Sequence, residues 1–497
     1  MDKISLTGLD WIIIIGYGMG MLLVGFYYSH KNKSSDDYLL GGRGMKSWKV
    51  GISLFATMFS AITYLSLPGE TIKHGPMIFV LLAALPFVYF VVAYFFIPFI
   101  MKLKVSSAYE LLETRVGIQN RLLASVYFLI MRFLWMSVII YLVSEKIIIP
   151  IMGWSGQTAL MVSIVMGIIT IIYTSTGGLR GVVLTDVVQS FVLFGGTILA
   201  IVLIVKELGN PSALIPAEWP EHWAGWVFFD TKVRVSFVTA FISTFGWYVC
   251  TAGSDQMTIQ RYLATRDVKG ARRMYLSSIV MSVLVQVLLL ILGLGLFAYV
   301  RTHPELLGGI SMLDGADTLF PRFIAICIPA GFSGIVIAGL LAAAMSSLSS
   351  GINSSSLSIV NDFILRFRDK TMSEDKKIKL AQLISLAIGV IIVLLSLVIG
   401  NIRGNLLELT YRTTNLLAGP LFIPFFMAMF IRKAKPNATF IGTLLSGVSA
   451  IMVGFSNELL SIDISFLWII PVSFFTGVLF SVVLSYLPFE QSKITAS

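Results

Sequence analysis

The chain has 497 residues, of which 57% are hydrophobic and only 12% charged, with a mean hydropathy of +0.88. That balance excludes a soluble globular enzyme and a disordered chain, and implies an integral membrane protein. The formal charge of +10 would suit nucleic acid, but the basic residues gather at the ends of apolar segments, so it reports topology and no nucleic-acid partner is expected.

Two cysteines, Cys250 and Cys327, fall in apolar segments and imply no disulfide framework. The histidines, His30, His74, His222 and His303, lie at segment ends or in loops without metal-ligand spacing. Gly-Lys never occurs, so a phosphate-cradling Walker loop and an ATP-driven pump are not expected.

The first apolar stretch, 10–28, is too long for a signal-peptide core, and the polar HKNKSSDDY after it lacks a small-x-small cleavage site, so it reads as a retained helix. Further windows long enough to cross about 30 Å of hydrocarbon lie at 50–74, 77–101, 121–148, 157–175, 182–206, 234–253, 274–299, 325–365, 380–399, 407–431, 437–456 and 464–487, thirteen in all. With the N-terminus outside and the C-terminus cytoplasmic, most of the 36 lysines and arginines fall in inner loops, among them Lys31, Lys33, Arg43, Lys46 and Lys49.

The second span is not an ordinary helix. Within ATMFSAITYLSLPG, Ser60, Thr63, Ser66, Pro68 and Gly69 weaken the helix and predict a break that frees carbonyls near the midplane. A proline kink with back-bonded hydroxyls is the plainer alternative. The seventh span carries a matching polar stretch, Ser243–Tyr248 then Thr251–Ser254. Spans two to six and seven to eleven then form two five-helix units, each opened by an interrupted helix, as in inverted repeats.

Between spans five and six the segment Thr176–Gly181 predicts a tight loop, followed by Asp186, a carboxylate about one helical turn inside the membrane. Such a group marks either function or a helix N-terminus near the interface. Asp255–Ala264 predicts a short amphipathic cytoplasmic helix. The ninth span runs into AGLLAAAMSSLSSGINSSSLSI, where Ser346, Ser349 and Ser350 share one helix face and Ser347 and Ala343 lie beside it. Lipid cannot satisfy those hydroxyls, so they meet another helix, water or an ion. A hard monovalent cation takes about five or six oxygens, and hydroxyls with freed carbonyls supply them without fixed charge.

Three motifs, GGLRGVVLTDVVQ (177–189), QMTIQRYLA (256–264) and AAAMSSLSSGINS (342–354), resemble the signature regions of the sodium:solute symporter family. The resemblance spans nearly the whole chain. It implies an all-α integral membrane fold of 13 transmembrane helices with a LeuT-like core of two inverted five-helix repeats, divided as 1–49, extra helix and cytoplasmic loop; 50–206, first repeat; 207–233, extracellular loop; 234–431, second repeat; and 432–497, two helices and a short tail. It also implies sodium-coupled symport of a small organic solute, a sugar, a sugar acid or a carboxylate- or vitamin-like anion, into the cell across the lipid bilayer of the cytoplasmic membrane, with Na+ as coupling ion and no enzymatic activity. The family's common sodium site corresponds to Ala56, Phe59, Ala343, Ser346 and Ser347, and a second site found in some members corresponds to Asp186, Ser346, Ser349 and Ser350. A transporter-fold sensor and a passive channel are the other function classes.

For the solute, Ser60 and Thr63 match substrate positions of the sialic acid type, and Trp247 and Tyr248 of the seventh span join them as candidates. The arginine expected in the fourth span is replaced by Trp135, with Arg132 one turn earlier. PGETIKHG (68–75) is closer to the vitamin, iodide and monocarboxylate branch. An unpaired guanidinium at mid-span costs at least about 2.5 kcal/mol. Glu145 lies more than three turns away on the same helix and other helices offer few acids, so Arg132 is expected to meet an anionic solute, such as a sugar acid or vitamin-like carboxylate, or else water and carbonyls.

Overall fold

Long apolar runs leave backbone groups no water to bond, so each run closes its hydrogen bonds within a helix. The computed structural model describes residues 6–102, 105, 107–154, 156–230, 233–367, 372–399, 406–462 and 464–487, without the side chains of 159, 399 and 406–414. The tail after 487, which carries the expected cytoplasmic C-terminus, lies outside the described residues.

Among the described residues nine helices are long and apolar enough to cross a membrane, ten with the bent pair Ser47–Met58 and Ala61–His74. The expected thirteen are not reached by that measure. Windows 157–175 and 182–206 count as one because Gly156–Leu208 holds two helices joined at a single non-helical residue, Gly178 (φ 59°, ψ −163°), within the tight connection expected at Thr176–Gly181. Window 234–253 becomes Phe237–Ser254, whose hydroxyls and aromatics dilute its apolar content. Of Leu406–Phe430, only the shorter Asn415–Phe430 is described with its side chains.

The ninth window is also corrected. Pro329 and Gly331 (φ 86°) separate the helix Met312–Cys327 from a new one beginning at Phe332, so the serine helix takes up that apolar run only from Phe332 onward. This helix, continuing to Phe367, is the central rod: 89% of its apolar window is buried in protein, against 22% for Gly8–Ser29. Helix Gly8–Ser29 instead presents Leu9, Ile12, Ile15, Met19, Leu23 and Phe26 as an exposed apolar stripe at helical spacing, a face suited to hydrocarbon. Its other face crosses Gly156–Leu208 so closely that a Cβ on Gly25 would lie 2.7 Å from the Tyr173 backbone.

The serine helix is anchored at both ends. Asp10 accepts hydrogen bonds from the Gly331 and Gly334 amides, both 2.8 Å, and from the Ser333 hydroxyl at 2.6 Å. That carboxylate complements the free N–H groups and the dipole of the helix start. Near the other end, Asp362 accepts from Arg121 Nη2 at 2.8 Å, Ser107 at 2.8 Å and Ser358 at 2.9 Å. Glu113 accepts from Arg121 at 2.6 Å and Arg366 at 2.5 Å, and the Arg366 guanidinium holds its carboxyl below the usual range. This clasp ties the start of Ile118–Met152 to the end of the serine helix.

Candidate functional site

Ser47–Met58 ends because Phe59 (φ −101°, ψ 98°) and Ser60 (φ −89°, ψ 164°) are extended, and the Ser60 side chain caps the next helix at the Thr63 amide. The two halves bend by 63°, and Pro68 is accommodated inside the second half. The expected break is present; its position is set by the serine cap, not by the proline.

At the break, the Ala56 carbonyl accepts from the Ser346 hydroxyl at 3.0 Å, which also lies 3.1 Å from the Ala343 carbonyl. Ala56, Phe59, Ala343 and Ser346 line one small cavity of about 10 Å³, with Gln189 and Ser190 opposite. That volume is near the minimum for one water-sized occupant. Ser347 is not among its lining residues, and its buried hydroxyl has no partner among the described residues. The oxygens lining the cavity are neutral, and one of them, the buried Gln189 Oε1, has no partner among the described residues, a donor set that fits a monovalent cation.

Asp186 is fully buried and accepts from Ser53 at 2.5 Å, Arg261 at 3.3 Å and Ser350 at 3.5 Å, all through Oδ2. Ser350 also accepts from Arg261 at 2.6 Å and pairs with Thr57 at 2.8 Å. Ser349 donates to the Ser346 carbonyl at 3.0 Å. The structure thus brings Asp186 and Ser350 together, with Ser349 next to Ser350 and Ser346 one turn before it, while the Asp186 Oδ1 atom stays without a partner among the described residues.

Sequence reasoning missed Arg261 as the buried counter-charge. It sits on Gln256–Leu263, the short helix expected within Asp255–Ala264, every residue of which is buried in protein. The signal was available: the arginine interrupts an otherwise uncharged motif.

A second cavity, of about 150 Å³, brings together all six expected solute residues, Ser60, Thr63, Arg132, Trp135, Trp247 and Tyr248. It adds Ser66, Ser243, Gln286 and Asn415, which had not been singled out as solute contacts. The Ser66 and Ser243 hydroxyls are buried without a partner among the described residues. Each such group costs about 1–3 kcal/mol until water or a solute satisfies it. Phe59 lines this cavity as well as the small one.

Two expectations fail here. Phe237–Ser254 is an unbroken helix, because Thr251 and Ser254 donate to the carbonyls of Trp247 and Cys250, both at 2.7 Å, and so satisfy themselves without disrupting it. Its break comes afterwards, at extended Asp255. And Arg132 has a protein acid after all: it forms a buried ion pair with Asp255, while its guanidinium lies 4.9 Å from the Trp135 ring and 5.7 Å from that of Phe128.

Comparison with known proteins places this geometry. The chain is 29% identical over 466 residues to the sodium/sialic acid symporter SiaT of Proteus mirabilis, covering 91% of this chain and 90% of the relative. It is 26% identical over 457 residues to the sodium-dependent multivitamin transporter of Oryctolagus cuniculus, covering 90% and 70%. A solved structure of a Na+-coupled sialic acid symporter, in a substrate-bound outward-open state with a novel Na+ site, superposes with a TM-score of 0.82 at 28% identity, covering 97% of this chain and 98% of that one. The sodium:solute symporter family model matches residues 38–446. With that match over most of its length, the chain belongs to the sodium:solute symporter family.

Proposed function

We propose that this sodium-coupled symporter holds its solute in the cavity bounded by Ser60, Thr63, Arg132, Trp135, Trp247 and Tyr248. Its coupling sodium sits between Ala56 and Phe59 of the broken span and Ala343, Ser346 and Ser347 of the serine helix. The observation that carries this reading is that one interruption, at Phe59–Ser60, lines both the solute cavity and the small oxygen-bearing cavity. An ion there ties the broken span to the serine helix and shapes the solute wall in the same act. A second sodium at Asp186, Ser346, Ser349 and Ser350 draws support from the unpartnered Asp186 Oδ1 atom, although Arg261 already meets the other oxygen.

In this reading the protein lies in the lipid bilayer of the cell membrane, N-terminus outside and C-terminus inside, and moves its solute inward by alternating access of 50–206 against 234–431. It binds no nucleic acid and makes no covalent bond in its cycle. The exposed apolar stripe of the first helix and the inner-loop lysines and arginines support that placement.

Proteoliposomes carrying an inward sodium gradient test it. Solute should accumulate above its external concentration in sodium and only equilibrate in choline or potassium. A passive channel equilibrates in all three, a sensor accumulates in none, and either result sinks the proposal.

A further inference from the structure

Arg132 is the one charged residue among the described residues lining the solute cavity, and its charge is already met. Asp255, fully buried where Phe237–Ser254 gives way to Gln256–Leu263, holds the guanidinium through Nη2. Resting on the reading of this cavity as the solute site, we propose that the solute is uncharged and hydroxyl-bearing with a flat apolar face. Asp255 sets that preference by cancelling Arg132.

Four observations meet in this inference. A carboxylate is gripped best by two parallel donors of one guanidinium, but here Nη2 is taken by Asp255 and Nε is left buried without a partner among the described residues. With the guanidinium's charge already met by Asp255, its remaining N–H groups suit the hydroxyl or carbonyl oxygens of a neutral molecule. The Ser66 and Ser243 hydroxyls, one on each of two walls, are likewise buried and unpartnered; each can donate and accept, the pattern that matches solute hydroxyls.

Trp135, Trp247 and Tyr248 also line this space, and aromatic side chains suit the C–H face of a small ring. Finally, an anion entering beside the Arg132–Asp255 pair would bring two negative charges to one buried cation, and the desolvation of the third charge would go uncompensated. Asp255 acts through Arg132 and is a positioning residue for specificity.

The full-length protein, purified in sodium, is to be titrated with matched pairs: a hexose and its hexuronate, an N-acetylhexosamine and its uronate, a hydroxy amide and its hydroxy acid. Binding is read by the shift in melting temperature, and uptake is followed in proteoliposomes. At least one uncharged member should bind tenfold or more tighter than its acid. Asp255→Asn should shrink that ratio tenfold or more by releasing the guanidinium, a change that a purely structural role for Asp255 would not produce.

If Asp255→Asn alone fails to fold, the double variant Arg132→Gln, Asp255→Asn, which removes both charges, should keep the uncharged preference whatever its overall rate. The inference is overturned if acids bind tighter than their partners in the parent protein, if no uncharged member binds, if Asp255→Asn leaves the ratio untouched, or if the double variant favours acids. Uptake that proceeds equally in choline with the uncharged preference intact would overturn the symport reading and leave this inference supported.

Discussion

Ser346 and Ser347 are neighbours in sequence with different duties. The Ser346 hydroxyl already bridges the break, between the Ala56 and Ala343 carbonyls, whereas that of Ser347 is buried with no partner among the described residues. Ser347→Ala should therefore leave the sodium-free melting temperature unchanged. Because a bond to a charged group is worth about 1.5–3 kcal/mol, its sodium half-saturation should rise tenfold or more. Ser346→Ala should lose sodium affinity and also about 1 kcal/mol of stability with its hydrogen bond. Sodium titrations of melting temperature and of uptake check both, and unchanged half-saturation in the pair would remove these serines from the site. At Asp186 the terms separate differently. Asp186→Ala strands Arg261, and an orphaned partner of a buried ion pair costs about 3–5 kcal/mol, so lost uptake alone would be ambiguous. In Asp186→Asn combined with Arg261→Gln neither charge is stranded; the fold should recover much of that loss, and a Hill coefficient for sodium that still falls would mark a second ion.

Elements reveal why some of this was legible and some was not. The break in the second span could be read because Ser60 is both a polar intruder in an apolar run and a helix cap, so sequence and geometry agree. In the seventh span similar residues misled, since Thr251 and Ser254 bond back to their own helix. Composition does not say which way a hydroxyl turns. Arg132 and Asp255 were each visible, but their pairing spans 123 positions, and no local pattern carries such a contact. The clasp beneath the serine helix was likewise hidden, and it makes its own prediction. Arg366 holds the Glu113 carboxyl below its ordinary value of 4.5. The stabilisation it gives is thus fully present above that value and is lost as pH falls through the depressed one. Glu113→Gln should flatten that part of the acid limb of melting temperature against pH, and an unchanged limb would assign the acid sensitivity elsewhere.

At the scale of the whole molecule, the two cavities share a wall at Phe59, so whatever fills one alters the other's boundary. Linkage then demands symmetry: if sodium multiplies the solute's affinity by some factor, the solute multiplies sodium's affinity by the same factor. Couplings of this kind are typically about 1–3 kcal/mol, or roughly 5–150-fold, large enough to resolve by titration. A membrane carrier needs this property, because an ion that bound without changing solute affinity would leak down its gradient and do no work. Once an uncharged solute has been identified by the matched-pair titration, its dissociation constant is to be measured at saturating sodium and in choline. Sodium's constant is to be measured with and without solute, by intrinsic tryptophan fluorescence, to which cavity residues Trp135 and Trp247 contribute. The two ratios should agree within error and exceed five. Ser347→Ala should weaken sodium while leaving the ratios equal to each other, because the equality is thermodynamic and independent of how many oxygens hold the ion. A ratio of one on both sides, with both ligands still binding, would mean that the shared wall transmits nothing and that coupling runs through another part of the helix bundle.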